Sequence, residues 1–210
     1  MVIKPSEHAS ASTLALMKVL SELVPPGVLN VVTGFGQEVG EPLVAHPEVK
    51  MISFTGSMSG GIRVAEIAAR KIKPVVMELG GKSPNIFFKS VADADDEFFD
   101  KAVEGAVMFA LNQGEVCTCP SRILVHEDIY VQFMERVVAR TKAIKMGNPL
   151  DPETMMGAQA SNDQYEKILN YINIGKEEGC KVLAGGKAAY NEGLEGGFYI
   201  QPTILEGHNK

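Results

Sequence analysis

Apolar residues along the first third of the chain alternate between two spacings. Val2 to Lys4 is a short apolar stretch. From Pro5 to Leu23 the residues Leu14, Met17, Val19, Leu20 and Leu23 recur about three to four apart, the period of a helix. Pro25-Pro26-Gly27 stops it. Val28 to Val32 then reads as a strand closed by Thr33-Gly34-Phe35-Gly36, and Gln37 to Ala45 as a short helix. Val49 to Phe54 is a strand closed by Thr55-Gly56-Ser57, Gly60 to Lys71 a helix, and Pro74 to Leu79 a strand ending at Gly80-Gly81. This order, with strands of about five to six residues, predicts a parallel sheet covered by helices.

After Gly81 the character changes, which sets a boundary between residues 1–80 and 81–210. Asn85 to Phe88 is strand-like, and the acids from Asp93 open a helix to about Leu111, where their charge suits the helix dipole. A strand at Ile123 to Val125 precedes a helix from Ile129 to Lys145, with Phe133, Val137, Val138 and Ile144 on one face. Asn148-Pro149 and Asp151-Pro152 mark a loop. A helix from Asn162 to Gly175, a strand Lys181 to Leu183, a glycine-rich turn and a strand Phe198 to Leu205 complete the chain. Neither end reads as a domain terminus.

Composition narrows the function classes. The 210 residues carry a net charge of −6 with no basic cluster and no Trp, which argues against a nucleic-acid surface. No run of about 18 or more apolar residues exists and no signal pattern opens the chain, so neither a membrane span nor export is expected. Three cysteines, an odd number, do not build a secreted disulfide framework and fit a reducing cytoplasm.

Four stretches carry candidate chemistry. Ser53-Phe-Thr-Gly-Ser57 ends a strand and opens a helix, whose N-terminus offers N–H groups to an anion such as a pyrophosphate; equally, Ser57 or Ser59 caps the helix. Gly34-Phe-Gly36-Gln-Glu-Val-Gly40 is a glycine turn after a strand, one residue longer than the usual dinucleotide fingerprint. Glu78 stands at a strand end among apolar neighbours, where desolvation would raise its carboxyl toward a general base; the alternative is a salt bridge to Lys82 or a neighbour. The last is Asn112-Gln-Gly-Glu-Val-Cys117-Thr-Cys119-Pro-Ser-Arg122. A zinc clip needs about four ligands. Cys180 is distant and His8, His46, His126 and His208 show no ligand spacing, so no metal is expected. Cys119 and Cys180 read as small buried apolar residues. Cys117 is released into a loop, and an unperturbed thiol, about 3% thiolate at pH 7, needs help from its site to act as a nucleophile.

KPSE (Lys4 to Glu7), PPGVLNVVTG (Pro25 to Gly34), ISFTGS (Ile52 to Ser57), MELGGKSP (Met77 to Pro84) and NQGEVCTCPSR resemble the aldehyde dehydrogenase superfamily, in order and across essentially the whole chain. MGNPLDPETMMGAQAS (Met146 to Ser161) adds a likeness to the bacterial acetaldehyde dehydrogenase branch. The stretch from Glu78 to Cys117 is several residues longer than in many relatives, around Ser90 to Phe99. The resemblance implies the later part of a Rossmann-like cofactor domain followed by the first part of an α/β catalytic domain. It implies NAD(P)-dependent oxidation of an aldehyde, a short aliphatic one such as acetaldehyde, to a carboxylate. Cys117 matches the nucleophile that forms a hemithioacetal and then a thioester, and Glu78 the base that activates water to hydrolyse it. Lys4 and Glu7 match residues holding the adenosine ribose; the glutamate favours NAD by repelling a 2′-phosphate, although relatives with it also use NADP. Gly56, Ser57 and Gly61 match the pyrophosphate-binding helix start, Phe54 and Leu79 the sheet along which the cofactor lies, and Gln164 and Lys167 contacts to the nicotinamide ribose. Cys119 has no assigned role beyond a tunnel neighbour or a disulfide partner that protects Cys117. The family forms homodimers or homotetramers.

The family also carries an upstream Pro-Trp-Asn stretch, whose asparagine completes the oxyanion hole, and a downstream Glu-Ile-Phe-Gly-Pro-like segment; neither stands in these 210 residues. Loss of one oxyanion donor costs about 100- to 1,000-fold in rate. The expectation is a central fragment with little or no activity and poor stability by itself. Three other readings stay open: a catalytically dead binding or structural relative, an enzyme passing the thioester to coenzyme A, and a cysteine hydrolase. Glu78 and Cys117 together argue against the first, Glu78 against the second, and the lack of a motif-placed histidine against the third.

Overall fold

A computed structural model describes residues 1–207, so His208 lies outside the described residues. The chain divides into two compact units, Met1–Gly80 and Gly81–Lys210. The α/β class with parallel strand pairing is the one found, although among the described residues the strands associate as four two-stranded pairs rather than one continuous sheet.

In the first unit, β1 (Val2–Ile3) pairs in parallel with β2 (Asn30–Val31). Both are shorter than their apolar runs. Pro5 lacks the N–H needed to continue the ladder, and Gly34 turns the chain out of β2 with φ 143°. A Cβ there would meet Val39 Cγ2 at 2.4 Å, so the turn requires glycine. The first helix splits: Ser6 Oγ accepts the His8 N–H and starts a separate 3-10 turn, Glu7–Ala9, before α1 (Ser10–Leu20). The helical period is present in α1, but no residue of it is buried, with Leu16 and Val19 one turn apart in solvent. A π-helical turn, Gly36–Gly40, leads into α2 (Glu41–Ala45).

The core of this unit is built by β3 (Ile52–Thr55), α3 (Met58–Ala69) and β4 (Val75–Glu78). The two strands are parallel, with Ile52 opposite Val75 and Thr55 opposite Glu78. Alternation places Ile52, Phe54, Val75 and Met77 on the inner face, where Ile52 packs with Val44, Ile67 and Ala68. Arg63 donates to both carboxylate oxygens of Glu41, at 2.9 and 2.7 Å, tying α3 to α2. Lys73 Nζ satisfies the Val44 and His46 carbonyls at the end of α2, at 2.6 and 2.7 Å.

In the second unit, β5 (Pro84–Phe87) pairs in parallel with β6 (Arg122–Val125). Between them runs α4 (Glu97–Val107), shorter than expected at both ends. Asp96 caps it, accepting from the Phe98 and Phe99 amides at 2.9 and 3.2 Å, so the acids before it fall outside the helix. α4 packs on α5 (Tyr130–Lys142) around Phe133, which is fully buried with ring centroids 4.5 Å from Phe87 and 5.8 Å from Phe99. After α6 (Asn162–Glu177), β7 (Lys181–Ala184) pairs antiparallel with β8 (Ile204–Glu206). The strand expected from Phe198 is interrupted: Ile200 makes one isolated bridge to Ala188, and Pro202 offers no N–H to extend it. Among the described residues, no helix is long and apolar enough to cross a membrane.

Candidate active site

The loop bearing Cys117 grows out of the end of α4. A 3-10 stretch, Met108–Gly114, breaks at Asn112 (φ 46°, ψ 49°) and Gln113 (φ 60°, ψ 15°), followed by Gly114 at φ 79°. Three successive left-handed residues reverse the chain. Two of them carry side chains, a conformation that costs on the order of 1–3 kcal/mol each unless the surroundings determine it. Those surroundings are polar and specific. Gln159 Nε2 donates to the Gln113 carbonyl at 3.3 Å, and Glu115 Oε1 accepts the Ala160 N–H at 3.1 Å.

Residues Val116 to Cys119 then form a turn closed by the Cys119 N–H on the Val116 carbonyl at 3.1 Å. Cys117 is exposed at its centre and Cys119 is buried. The Cys119 S–H donates to the Met108 carbonyl at 3.3 Å, with a longer contact of 3.8 Å to that of Leu111. Burial, and secondarily the charge of Cys117, push the Cys119 thiol up from its usual range, so it serves as a donor rather than a thiolate. Gly81 lies against the same turn: a Cβ there would sit 3.0 Å from the Cys117 carbonyl. The structural part of Cys119, and of Glu115 and Gln159, was missed in the sequence. Glu115 stood inside the quoted motif, but its partner is 45 residues away.

Glu78 ends β4 in the first unit, and its carbonyl accepts the Gly56 N–H at 3.0 Å. Its side chain falls on the outer, exposed face of the strand. Its apolar neighbours Met77 and Leu79 are half-buried on the other side of the chain. Among the described residues it makes no ion pair, with Lys82 or any other.

The remaining candidates fall into three groups. Phe54, Gly56, Ser57, Gly61 and Leu79 come together. A Cβ on Gly61 would meet Leu79 Cδ2 at 2.8 Å, and one on Gly56 would meet Phe54 Cζ at 2.7 Å. Ser57 caps α3, accepting the Gly60 N–H at 3.2 Å, and shares a 3.1 Å hydrogen bond with Ser59. Lys4 instead donates to the Pro5 and Gly34 carbonyls, at 2.6 and 3.0 Å, joining its loop to the glycine turn, while Glu7 is exposed in the 3-10 turn beside it. Gln164 and Lys167 stand on α6 of the second unit; three residues apart, they share a face. Ser161 caps that helix through the Gln164 N–H at 3.2 Å. Among the described residues, no group of three or more His, Cys, Asp or Glu side chains is placed to hold a metal.

Residues 1–210 match the aldehyde dehydrogenase family. A probable aldehyde dehydrogenase of Streptomyces coelicolor is 58% identical over 100% of this chain and 41% of its own length. Acetaldehyde dehydrogenase 2 of Cupriavidus necator is 55% identical over 100% of this chain and 42% of its own. The crystal structure of PnpE in complex with nicotinamide adenine dinucleotide superposes with a TM-score of 0.90 at 44% identity, covering 98% of this chain and 42% of that one. The chain thus spans about two-fifths of the length of the curated relatives it matches. With its whole length matched, and with the parallel α/β units and the cysteine turn in place, this chain belongs to the aldehyde dehydrogenase family.

Proposed function

We propose that the protein oxidises short aliphatic aldehydes, acetaldehyde among them, to carboxylates with NAD, and that Cys117 is its nucleophile and Glu78 its hydrolytic base. The observation that carries this reading is the division of labour in one turn: Cys117 is presented to solvent while Cys119 is buried and hydrogen-bonded beneath it. Two cysteines so close in sequence acquire opposite roles, one reactive and one structural.

The dinucleotide fits the residues of the first unit. The N-terminus of α3 follows the Gly56-Ser57 turn, and Ser57 satisfies only the Gly60 amide of the first turn. The Met58 and Ser59 amides are left for an anion, which the helix dipole favours. Side chains at Gly56 and Gly61 would crowd Phe54 and Leu79, so those positions keep the backbone approachable. Lys4 and Glu7 would bind the adenosine ribose and Gln164 and Lys167 the nicotinamide ribose. NADP is the alternative cofactor. The chemistry NAD supplies when bound is acceptance of a hydride. The relatives' names, one of them an acetaldehyde dehydrogenase, support the substrate class.

Chemically, Cys117 Sγ bonds to the aldehyde carbon, and the Cys117 N–H donates to the oxyanion that forms. The hemithioacetal carbon gives up its hydride, which NAD would accept when bound, and the sulfur then holds the acyl group as a thioester until water cleaves it. Glu78 takes the proton from that water, and the thiol is released with the carboxylate. Small uncharged aldehydes as substrate, a homodimer or homotetramer, and a cytoplasmic location complete the reading. The test is turnover of acetaldehyde by the natural protein carrying this sequence, beside its Cys117→Ala and Glu78→Gln variants. Cys117→Ala is expected to abolish turnover. Glu78→Gln is expected to stall at the thioester. Full activity of Cys117→Ala overturns the reading.

A further inference from the structure

The turn that carries Cys117 is gripped from a segment far along the chain. Gln159 and Ala160 hold the loop at two points, and Gly157 runs beside it, with the Gln113 side-chain amide 3.9 Å from where a Gly157 Cβ would stand, an ordinary contact distance. The Gln159 amide donates to the Gln113 carbonyl, and the Ala160 N–H donates to Glu115. The segment is itself fixed, since the Gln159 N–H donates to the Phe198 carbonyl at 2.9 Å.

We propose that Gln159 and Glu115 are positioning residues for the Cys117 sulfur, clamping the left-handed turn Asn112–Gly114 from which it projects; this rests on Cys117 being the nucleophile. Two non-glycine residues in left-handed geometry persist only where neighbours over-determine them. The clamp does so at the carbonyl of one and at the side chain that follows the turn. Gln159 is 5% exposed, and its Oε1 has no partner among the described residues. A buried amide with one half unsatisfied is costly to keep, so the bond from its other half is the part of the residue that contributes order. Cys119 anchors the downstream side on Met108. Cys117 therefore lies between two anchors. Releasing the upstream one lets the Gln113 and Glu115 peptides rotate and moves the sulfur two residues on.

The experiment uses the natural protein with Glu115→Ala, Glu115→Gln, Gln159→Ala and Gln159→Glu. The readings are kcat, KM for NAD, and the rate at which iodoacetamide alkylates Cys117. A misplacement of about 1 Å costs up to roughly 100-fold, so Glu115→Ala and Gln159→Ala are expected to lower kcat about 10- to 100-fold while KM for NAD changes little. The alkylation rate of Cys117 should change in the same variants. Glu115→Gln keeps an oxygen acceptor for the Ala160 N–H and should restore both readings. Gln159→Glu sets an acceptor against the Gln113 carbonyl and should be the most damaged. Val137→Ala, a core variant elsewhere, should lower stability without altering the alkylation rate. Native kcat and alkylation in Glu115→Ala overturn the proposal, as does a Glu115→Gln variant as impaired as Glu115→Ala. If the Gln159 variants fail to fold, the Glu115 pair decides alone. An active Cys117→Ala variant would instead refute the nucleophile assignment, leaving the alkylation result to report on loop geometry.

Discussion

The thiol of Cys119 donates to the carbonyl of Met108 at 3.3 Å, while Cys117, two residues earlier, stands in solvent. The pair should therefore separate by reactivity. Iodoacetamide at neutral pH is expected to modify Cys117 and leave Cys119 untouched until the protein unfolds. Because burial raises the Cys119 thiol, moving toward pH 9 should not bring it into the reaction. Peptide mass spectrometry over a time course checks this; equal labelling of both would contradict the anchored geometry.

Gly61 and Leu79 define a tight approach between α3 and the strand end. A methyl at Gly61 would sit 2.8 Å from Leu79 Cδ2, so Leu79 must shift to admit it, and a larger side chain must displace Leu79 further. Gly61→Val is expected to destabilise by about 1–3 kcal/mol through overpacking. It should also weaken NAD binding. Thermal melting and a dinucleotide titration of the natural protein read the two effects separately.

Tyr130 donates to Glu206, joining α5 to β8. Burial, then the Glu206 carboxylate, hold the phenol protonated, with its pKa pushed up to about 12 from about 10. A raised folded-state value means the stabilisation is fully present below about pH 10 and is lost as pH rises through about 12, since the unfolded chain releases the proton first. Denaturation midpoints between about pH 10 and about pH 12 should fall more steeply for the native sequence than for Tyr130→Phe. Parallel curves would contradict the assignment.

Exposed apolar side chains predict the behaviour of the 210-residue polypeptide by itself. Leu16 and Val19 on α1 are 57% and 60% exposed, and Ile72 and Leu150 are 91% and 90% exposed. Such surface drives association. The isolated polypeptide is expected to bind hydrophobic dyes, to self-associate in sedimentation, and to show little or no aldehyde oxidation. A monodisperse, active preparation would overturn this.

Much of the fold was legible because its signals are local. The period-2 alternation of β3 and β4, the serine cap of α3 and the apolar face of α5 all lie within a few residues of the elements they specify. Boundaries failed where a single polar residue decides. Asp96 caps α4, so the acids read as its first turn precede the helix, and Pro202 cuts the last strand short. Alternation also separates Glu78 from the apolar residues beside it in sequence, which turn to the other face of the strand. The helical period of α1 was read correctly, but period alone does not say whether a face is covered. Cys117 was visible from its motif, whereas Gln159 and the Ala160 amide reach its loop from 46 and 45 residues beyond their partners Gln113 and Glu115, a separation no spacing rule connects to the motif.

The central claim is that the Cys117 sulfur carries the acyl group. The most direct measurement mixes the natural protein with acetaldehyde and NAD, quenches with acid within a turnover, and maps the adduct by peptide mass spectrometry. An acetyl group is expected on Cys117, accumulating further in Glu78→Gln and absent in Cys117→Ala. An acetyl group on another residue, or turnover with no adduct at Cys117 in either protein, would contradict it.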